Sequence, residues 1–215
     1  MIFALVPVKD LSWAKERLSS VLSQEKRTLL AYAMLEDVLT ALKGSKLLDR
    51  IVIVTMDEEA MSIASGLEID VISETEQNGE SASVDYGSSV CMDMGAQTVL
   101  VVPGDAPLIT SEDIDTVLER VKEYPSVILV PATGEMGTNA IVRTPPNAIP
   151  SRFGEDSFRK HINEAAKRHI PYEKVVIPTI ALDIDCPDDL RAFAAQPSNT
   201  LSYQVLSELT KKVAE

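Results

Sequence analysis

At 215 residues, with 45% apolar and 25% charged residues, the chain is long enough for one well-buried core, and nothing forces a second domain. Its net charge of −13 gives an acidic surface that repels nucleic-acid phosphate and anionic membrane, leaving a small anionic ligand met by local cations or a metal. Two cysteines (Cys91, Cys186) and two histidines (His161, His169), in no metal-ligand spacing, argue against structural zinc and a disulfide framework. The apolar start Met1–Val8 lacks a basic region and is too short for a signal peptide, and no run approaches a membrane span, so a cytoplasmic protein is expected.

In chain order, Ile2–Val8 reads as a strand. Glu25–Leu42 reads as a helix, with Leu30, Met34, Val38 and Leu42 four apart on one face. Arg50–Thr55 is predicted as a buried strand, Glu58–Ser65 as a short helix, Asp70–Ser73 as a strand and Ser81–Met94 as a helix. Cys91 and the methionines read as core packing. Thr98–Pro103 is a continuous apolar strand, and Thr110 to Asp113 is a capping box before a helix carrying Ile114, Val117, Leu118 and Val121. Val127–Pro131 and Asn139–Arg143 are predicted strands, Asp156–His169 a helix, Lys174–Ile177 and Ile180–Asp185 strands, and Asp188–Ala195 a helix. An amphipathic segment, Leu201–Val213, is expected to pack on its own domain or on a second subunit, which leaves a homodimer open. Buried strands alternating with helices imply a three-layer α/β/α domain over residues 1–215. Its sheet should be mixed and mostly parallel, with ligands beyond the strands' carboxyl ends.

Four segments there carry unusual chemistry. After the first strand, Lys9, Lys15 and Arg17 place three cations within nine residues of an otherwise acidic chain, as a triphosphate requires. The same run also reads as a solvated loop anchored by Trp13. Neither a P-loop nor a Rossmann fingerprint occurs. Asp105, in Gly104-Asp105-Ala106-Pro107, is expected to end the most apolar strand and to be a hard-oxygen ligand for magnesium. Asp183 and Asp185, two apart on a predicted strand, would present two carboxylates to one side, a costly arrangement without a cation between them. Asp185 reads equally well as a turn or cap residue before Pro187. Lastly, Thr138 opens a strand, while Gly154 and Ser157 lie at a helix start, where free amides favour an anion. Ordinary capping by Asp156 reads as well. His161 lies one turn after Ser157 and either reaches the ligand or packs.

In their order and spacing, Pro7-Val8-Lys9, Ala14-Lys15, Arg17-Leu18, Gly104-Asp105-Ala106-Pro107-Leu108, Gly137-Thr138-Asn139-Ala140, Phe153-Gly154, Ser157-Phe158, His161, Asp183-Ile184-Asp185, Pro187 and Asp189-Leu190 resemble the 2-phospho-L-lactate guanylyltransferase family of coenzyme F420 biosynthesis. The resemblance covers essentially the whole chain. It implies a nucleotide-diphospho-sugar-transferase-like fold with a mixed seven-stranded sheet. The implied reaction joins GTP and 2-phospho-L-lactate to give lactyl-2-diphospho-5′-guanosine and pyrophosphate, with phosphoenolpyruvate or 3-phosphoglycerate as alternative acceptors. It further implies Asp105, Asp183 and Asp185 around Mg2+, Thr138, Gly154 and Ser157 around the acceptor, and Lys9, Lys15 and Arg17 at the triphosphate. Where that family carries a Gly-Leu-Asn stretch before its third helix, this chain has Asn78-Gly79-Glu80-Ser81-Ala82. A nucleotide-sugar-dependent glycosyltransferase is the rival reading, from the D-x-D of Asp183-Ile184-Asp185, and a non-catalytic nucleotide-binding module is a second.

Overall fold

A computed structural model describes residues 1–76 and 78–211. Seven strands form one sheet: β1 (Ile2–Val8), β2 (Arg50–Thr55), β3 (Asp70–Ser73), β4 (Thr98–Val101), β5 (Ser126–Pro131), β6 (Thr138–Thr144) and β7 (Tyr172–Lys174). Their order is β3-β2-β1-β4-β6-β5-β7, and only β6 runs against the others. The expected mixed, mostly parallel sheet is therefore observed, with its antiparallel strand in the strand-rich second half.

The eight α-helices among the described residues are α1 (Gln24–Lys43), α2 (Glu58–Gly66), α3 (Glu80–Asp93), α4 (Ser111–Leu118), α5 (Ser157–Lys167), α6 (Pro178–Ala181), α7 (Pro187–Ala194) and α8 (Leu201–Lys211). Strand alternation divides the core. Ala4, Val6, Ile53, Leu100, Val130 and Val142 face α1, α2 and α4, whereas Phe3, Leu5, Val52, Val54, Leu129 and Ile141 face α3 and α5. Helix α1 is buried on two sides. Leu35, Val38, Leu39 and Leu42 meet the sheet, while Leu30, Ala31 and Met34 pack with Ile184, Phe193 and Leu206 of the C-terminal segment. Asp37 of α1 accepts from the amides of Leu201 and Ser202 at 2.7 and 2.8 Å, so α8 docks on its own chain. The predicted end of that segment, Val213, lies outside the described residues.

Two predicted strands are corrected. Lys174–Ile177 is replaced by Tyr172–Lys174. Ile180–Asp185 is no strand at all: Pro178 starts the short helix α6, and Leu182–Asp185 then belongs to no helix or strand. Proline at the first helical position has a fixed φ suited to a helix start, which overrides the β-branched composition. Strand β4 stops at Val101, so Asp105 lies in the turn beyond it rather than at the strand end. The Thr110–Asp113 capping box forms as predicted.

The sheet's carboxyl edge is crowded by close packing of α3. At Gly87 a β-carbon would come within 2.9 Å of Leu5 Cδ1, so any larger residue would force the buried Leu5 side chain to shift, and glycine accommodates the close approach of α3 to β1. The amino end of α3, Glu80 and Ser83, thereby reaches the same edge as the loops after β1 and β4.

Candidate active site

Beyond the ends of β1 and β4 opens a cavity of about 380 Å³, lined by residues 7–11 and 13–15, the face of α1, Glu80, Ser83, residues 103–105 and Asp185. The loop after β1 is held from several sides. Buried Asp57, which caps α2 by accepting from Ala60 N at 2.8 Å, also accepts from Leu11 N at 2.7 Å and from the Tyr32 hydroxyl at 3.1 Å. Thr28 Oγ1 donates to Ser12 O at 3.0 Å. Lys15 adopts the left-handed conformation with φ 57°, strained for a residue with a β-carbon, and projects inward.

Lys15 joins the predicted segments. Its Nζ donates to Asp105 Oδ2 at 2.5 Å and to Asp185 Oδ1 at 2.7 Å, and its side chain is only 7% exposed. Burial pushes the ammonium toward neutrality, but the two carboxylates outweigh it and hold Lys15 above the ordinary lysine value. Ile184 N donates to Asp105 O at 3.1 Å, fixing the two carboxylate-bearing segments against each other. Asp189 accepts from Asp185 N and Cys186 N at 3.1 and 2.7 Å, so Asp185 is freed from capping and its carboxylate meets Lys15. Lys9 is exposed and lies 3.8 Å from Glu80.

Negative charge dominates the cluster. Burial raises the Glu80 carboxyl above the usual range, opposed by Lys9 and reinforced by Asp105, Asp185 and Asp183. Asp183 is raised by burial as well. The Asn139 hydrogen bond opposes this, and the charges of Asp105 and Asp185 reinforce it. Four mutually repelling carboxylates thus share two ammonium groups. Asp105 Oδ1 is buried with no partner among the described residues. An orphaned carboxylate oxygen beside other carboxylates is the donor chemistry a hard divalent cation uses. Among the described residues no three metal-ligating side chains converge into a formed cluster. Lys15 stands between Asp105 and Asp185 as their counter-cation, and Asp183 turns to Asn139 Nδ2 at 3.0 Å.

The other predicted residues separate. Arg17, on a single 3-10 turn, is exposed and does not line the cavity. Trp13 is no buried anchor: it is 75% exposed at the cavity's edge. Thr138, Ser157 and His161 are buried and form their own group. Thr138 N donates to Ser157 Oγ at 2.8 Å, and Thr138 Oγ1 lies 3.0 Å from His161 Nδ1. Asp156 makes no capping bond, so that reading fails. Gly154, with φ 103°, leaves open space where a β-carbon would sit. Asn139 connects this group to the carboxylates, because it follows Thr138 directly and donates to Asp183.

Sequence reasoning did not single out Asp57, Glu80 or Asn139 as site residues, nor the pairing of buried Arg143 with the more exposed Asp85 at 2.9 Å. Arg143 also donates to Ser88, Ser151 and Ile149 O and so ties α3 to the segment after β6. A lone arginine inside an otherwise apolar strand was the available signal.

Comparison with known proteins places the chain in a family. The family model described as "Guanylyl transferase CofC like" matches residues 2–215. A phosphoenolpyruvate guanylyltransferase of Conexibacter woesei is 35% identical over 191 residues, covering 88% of this chain and 86% of its own. A 2-phospho-L-lactate guanylyltransferase of Methanobrevibacter smithii is 30% identical over 208 residues, covering 97% and 90%. In fold, the chain matches a solved nucleotidyl transferase of Methanothermobacter thermautotrophicus with TM-score 0.66 at 16% identity, over 90% of this chain and 95% of that one. The family model over residues 2–215 and these relatives, each aligned over most of both chains, make this chain a member of the CofC-like guanylyltransferase family.

Proposed function

We propose that the protein joins GTP and 2-phospho-L-lactate, giving lactyl-2-diphospho-5′-guanosine and releasing pyrophosphate, a step of coenzyme F420 biosynthesis. The observation that carries this reading is Lys15, buried between Asp105 and Asp185 at the mouth of the β1 loop. An acceptor phosphate oxygen attacks the α-phosphorus in line, the bond to the β-phosphate oxygen breaks, and pyrophosphate carries the electron pair away. Lys15 and Lys9 neutralise charge growing on the leaving group, and Lys15 needs no reorganisation because the two aspartates already fix it. Arg17 is left out of this set, being exposed and away from the cavity lining.

Asp105, with Asp185 and Asp183 beside it, would hold Mg2+. That ion would supply Lewis-acid stabilisation of the phosphoryl oxygens. Thr138, Gly154 and Ser157 form the acceptor side, linked to Asp183 through Asn139.

A pyrophosphate-release screen tests the reading, using four nucleoside triphosphates against 2-phospho-L-lactate, phosphoenolpyruvate and 3-phospho-D-glycerate. Highest kcat/KM with GTP and phospholactate is expected. A preference for phosphoenolpyruvate would move the acceptor and keep the chemistry. Turnover of a nucleotide sugar with nucleoside diphosphate release would instead establish the glycosyltransferase reading.

A further inference from the structure

We propose that His161 is a positioning residue that commits the Thr138 hydroxyl to donating outward, so that Thr138 and Ser157 present a pair of O–H donors to the acceptor's anionic group. The inference rests on the acceptor assignment above and extends it to a residue that does not touch the acceptor.

One hydrogen-bond chain fixes the histidine tautomer. Arg152 N lies 2.9 Å from His161 Nε2, and a backbone amide can only donate, so Nε2 carries no proton. A neutral imidazole has one N–H, which must then be on Nδ1. Nδ1–H points to Thr138 Oγ1 at 3.0 Å, and Thr138 accepts there. The Thr138 proton is therefore not spent on the histidine. Ser157 Oγ is likewise an acceptor, taking Thr138 N at 2.8 Å, which leaves its own proton unassigned. Neither hydroxyl proton has an acceptor among the described residues, although Thr138 is 6% exposed and Ser157 2%. Buried donors left without acceptors are costly, and the space beside Gly154 lies at the same helix start. An anion, which accepts only, is the ligand class that such a pair selects.

The ring is also clamped. Phe153 meets it edge-on, with centroids 5.1 Å apart, and Phe153 N donates to Ser81 Oγ of α3 at 2.8 Å. Glu164 holds the Arg152 side chain at 3.2 Å. Burial and the nearby Arg143 guanidinium favour the neutral ring that the hydrogen bonds require.

The test pairs a spectroscopic reading with kinetics. Long-range proton–nitrogen correlation NMR on the full-length chain, with 15N-labelled histidine at neutral pH, identifies the tautomer directly. His169→Gln assigns the signals, since the chain has only 2 histidines. A neutral Nδ1–H ring at His161 is expected; an Nε2–H ring or an imidazolium would overturn the proposal. In parallel, His161→Asn places an amide N–H near the Nδ1 position, whereas His161→Leu and His161→Gln do not. We expect acceptor KM within about threefold of wild type for the asparagine variant and raised about tenfold or more for the other two, with GTP KM unchanged. Equal losses for asparagine and leucine would refute the donor role. A rise in GTP KM instead, with the tautomer as stated, would overturn the acceptor assignment itself, and the proposal with it.

Discussion

Lys15 Nζ lies 2.5 Å from Asp105 Oδ2, binding the loop after the first strand to the turn after the fourth across 90 residues of sequence. Each group alone would be costly to bury; together they form a charged hinge between the triphosphate side and the carboxylate cluster. Lys15→Met should lower kcat by about 10²-fold or more, the scale seen when a pre-placed charge stabiliser is removed. Lys15→Arg should recover little, because a planar fork cannot replace a point charge held between two carboxylates. Steady-state kinetics at saturating GTP and acceptor checks this. A kcat within threefold of wild type in the methionine variant would exclude Lys15 from the chemistry.

Asp105→Asn removes the carboxylate whose Oδ1 lacks a partner and should abolish divalent-ion-dependent turnover while the fold persists. The direct readout is loss of magnesium-induced thermal stabilisation, measured beside the rate. Near-normal turnover with an unchanged magnesium response would remove Asp105 from the metal site.

Asp183→Asn should trade stability against function. Its carboxyl is raised in the folded chain, so between the ordinary value of 3.8 and the raised one the folded state binds more protons than the unfolded state. Stability therefore falls as pH rises through that window, and at neutral pH the full cost of the charge, from burial first and from repulsion by Asp105 and Asp185, is present. The asparagine variant lacks this term and keeps a partner for Asn139. It should unfold at higher temperature than wild type at pH 7, with the gain shrinking toward pH 4, while activity is lost. An equal or lower melting temperature at pH 7 would contradict the charge-strain account.

Trp13 is the chain's only tryptophan, and at 75% exposure on the cavity's edge it is placed to cover a nucleotide base. GTP should quench its fluorescence, and Trp13→Ala should raise GTP KM about tenfold, ~1.4 kcal/mol, the order expected for aromatic contact plus covered area. A flat titration with unchanged KM would leave Trp13 a solvent-exposed side chain.

How far the sequence reached differs by element. Strands β1, β2 and β3 and helix α1 were legible because their apolar spacing is regular and their flanking loops are polar. Ile180–Asp185 was misread because its composition matches a buried strand, while Pro178 determines the backbone. Asp183 and Asp185 do come near Asp105, though through loop geometry and Lys15 rather than by strand alternation. The roles of Asp57 and Asn139 were not legible in sequence, although Asn139 lies in the Gly137-Thr138-Asn139-Ala140 motif, since each acts by hydrogen bonds to residues 46 and 44 positions away. Spacing along a chain does not encode such partners.

An attacking alcohol usually needs a general base, but a phosphate monoester with a second pKa of about 6 is mostly dianionic at neutral pH and already nucleophilic. His161 is unsuited to the task, with both ring nitrogens committed and burial, helped by Arg143, lowering it from 6.5 to about 4. Arg152 contributes to that lowering, and Asp85 and Glu164 oppose the shift without reversing it. His161→Gln should therefore keep kcat within about tenfold, equivalent to ~1.4 kcal/mol of barrier. Its signature belongs in folding. Above pH 6.5 the ring is neutral in both states and its contribution is complete. As pH falls from 6.5 toward 4 the unfolded chain takes the proton first, so wild type loses up to about 3 kcal/mol from this group. Urea unfolding of both forms at pH 7, 5.5 and 4.5 isolates the term, because other acid-sensitive groups cancel in the difference. The glutamine variant should show the shallower decline. Parallel declines would mean that His161 is not held neutral, and a fall of several orders in kcat with loss of the acidic limb would make it the base after all.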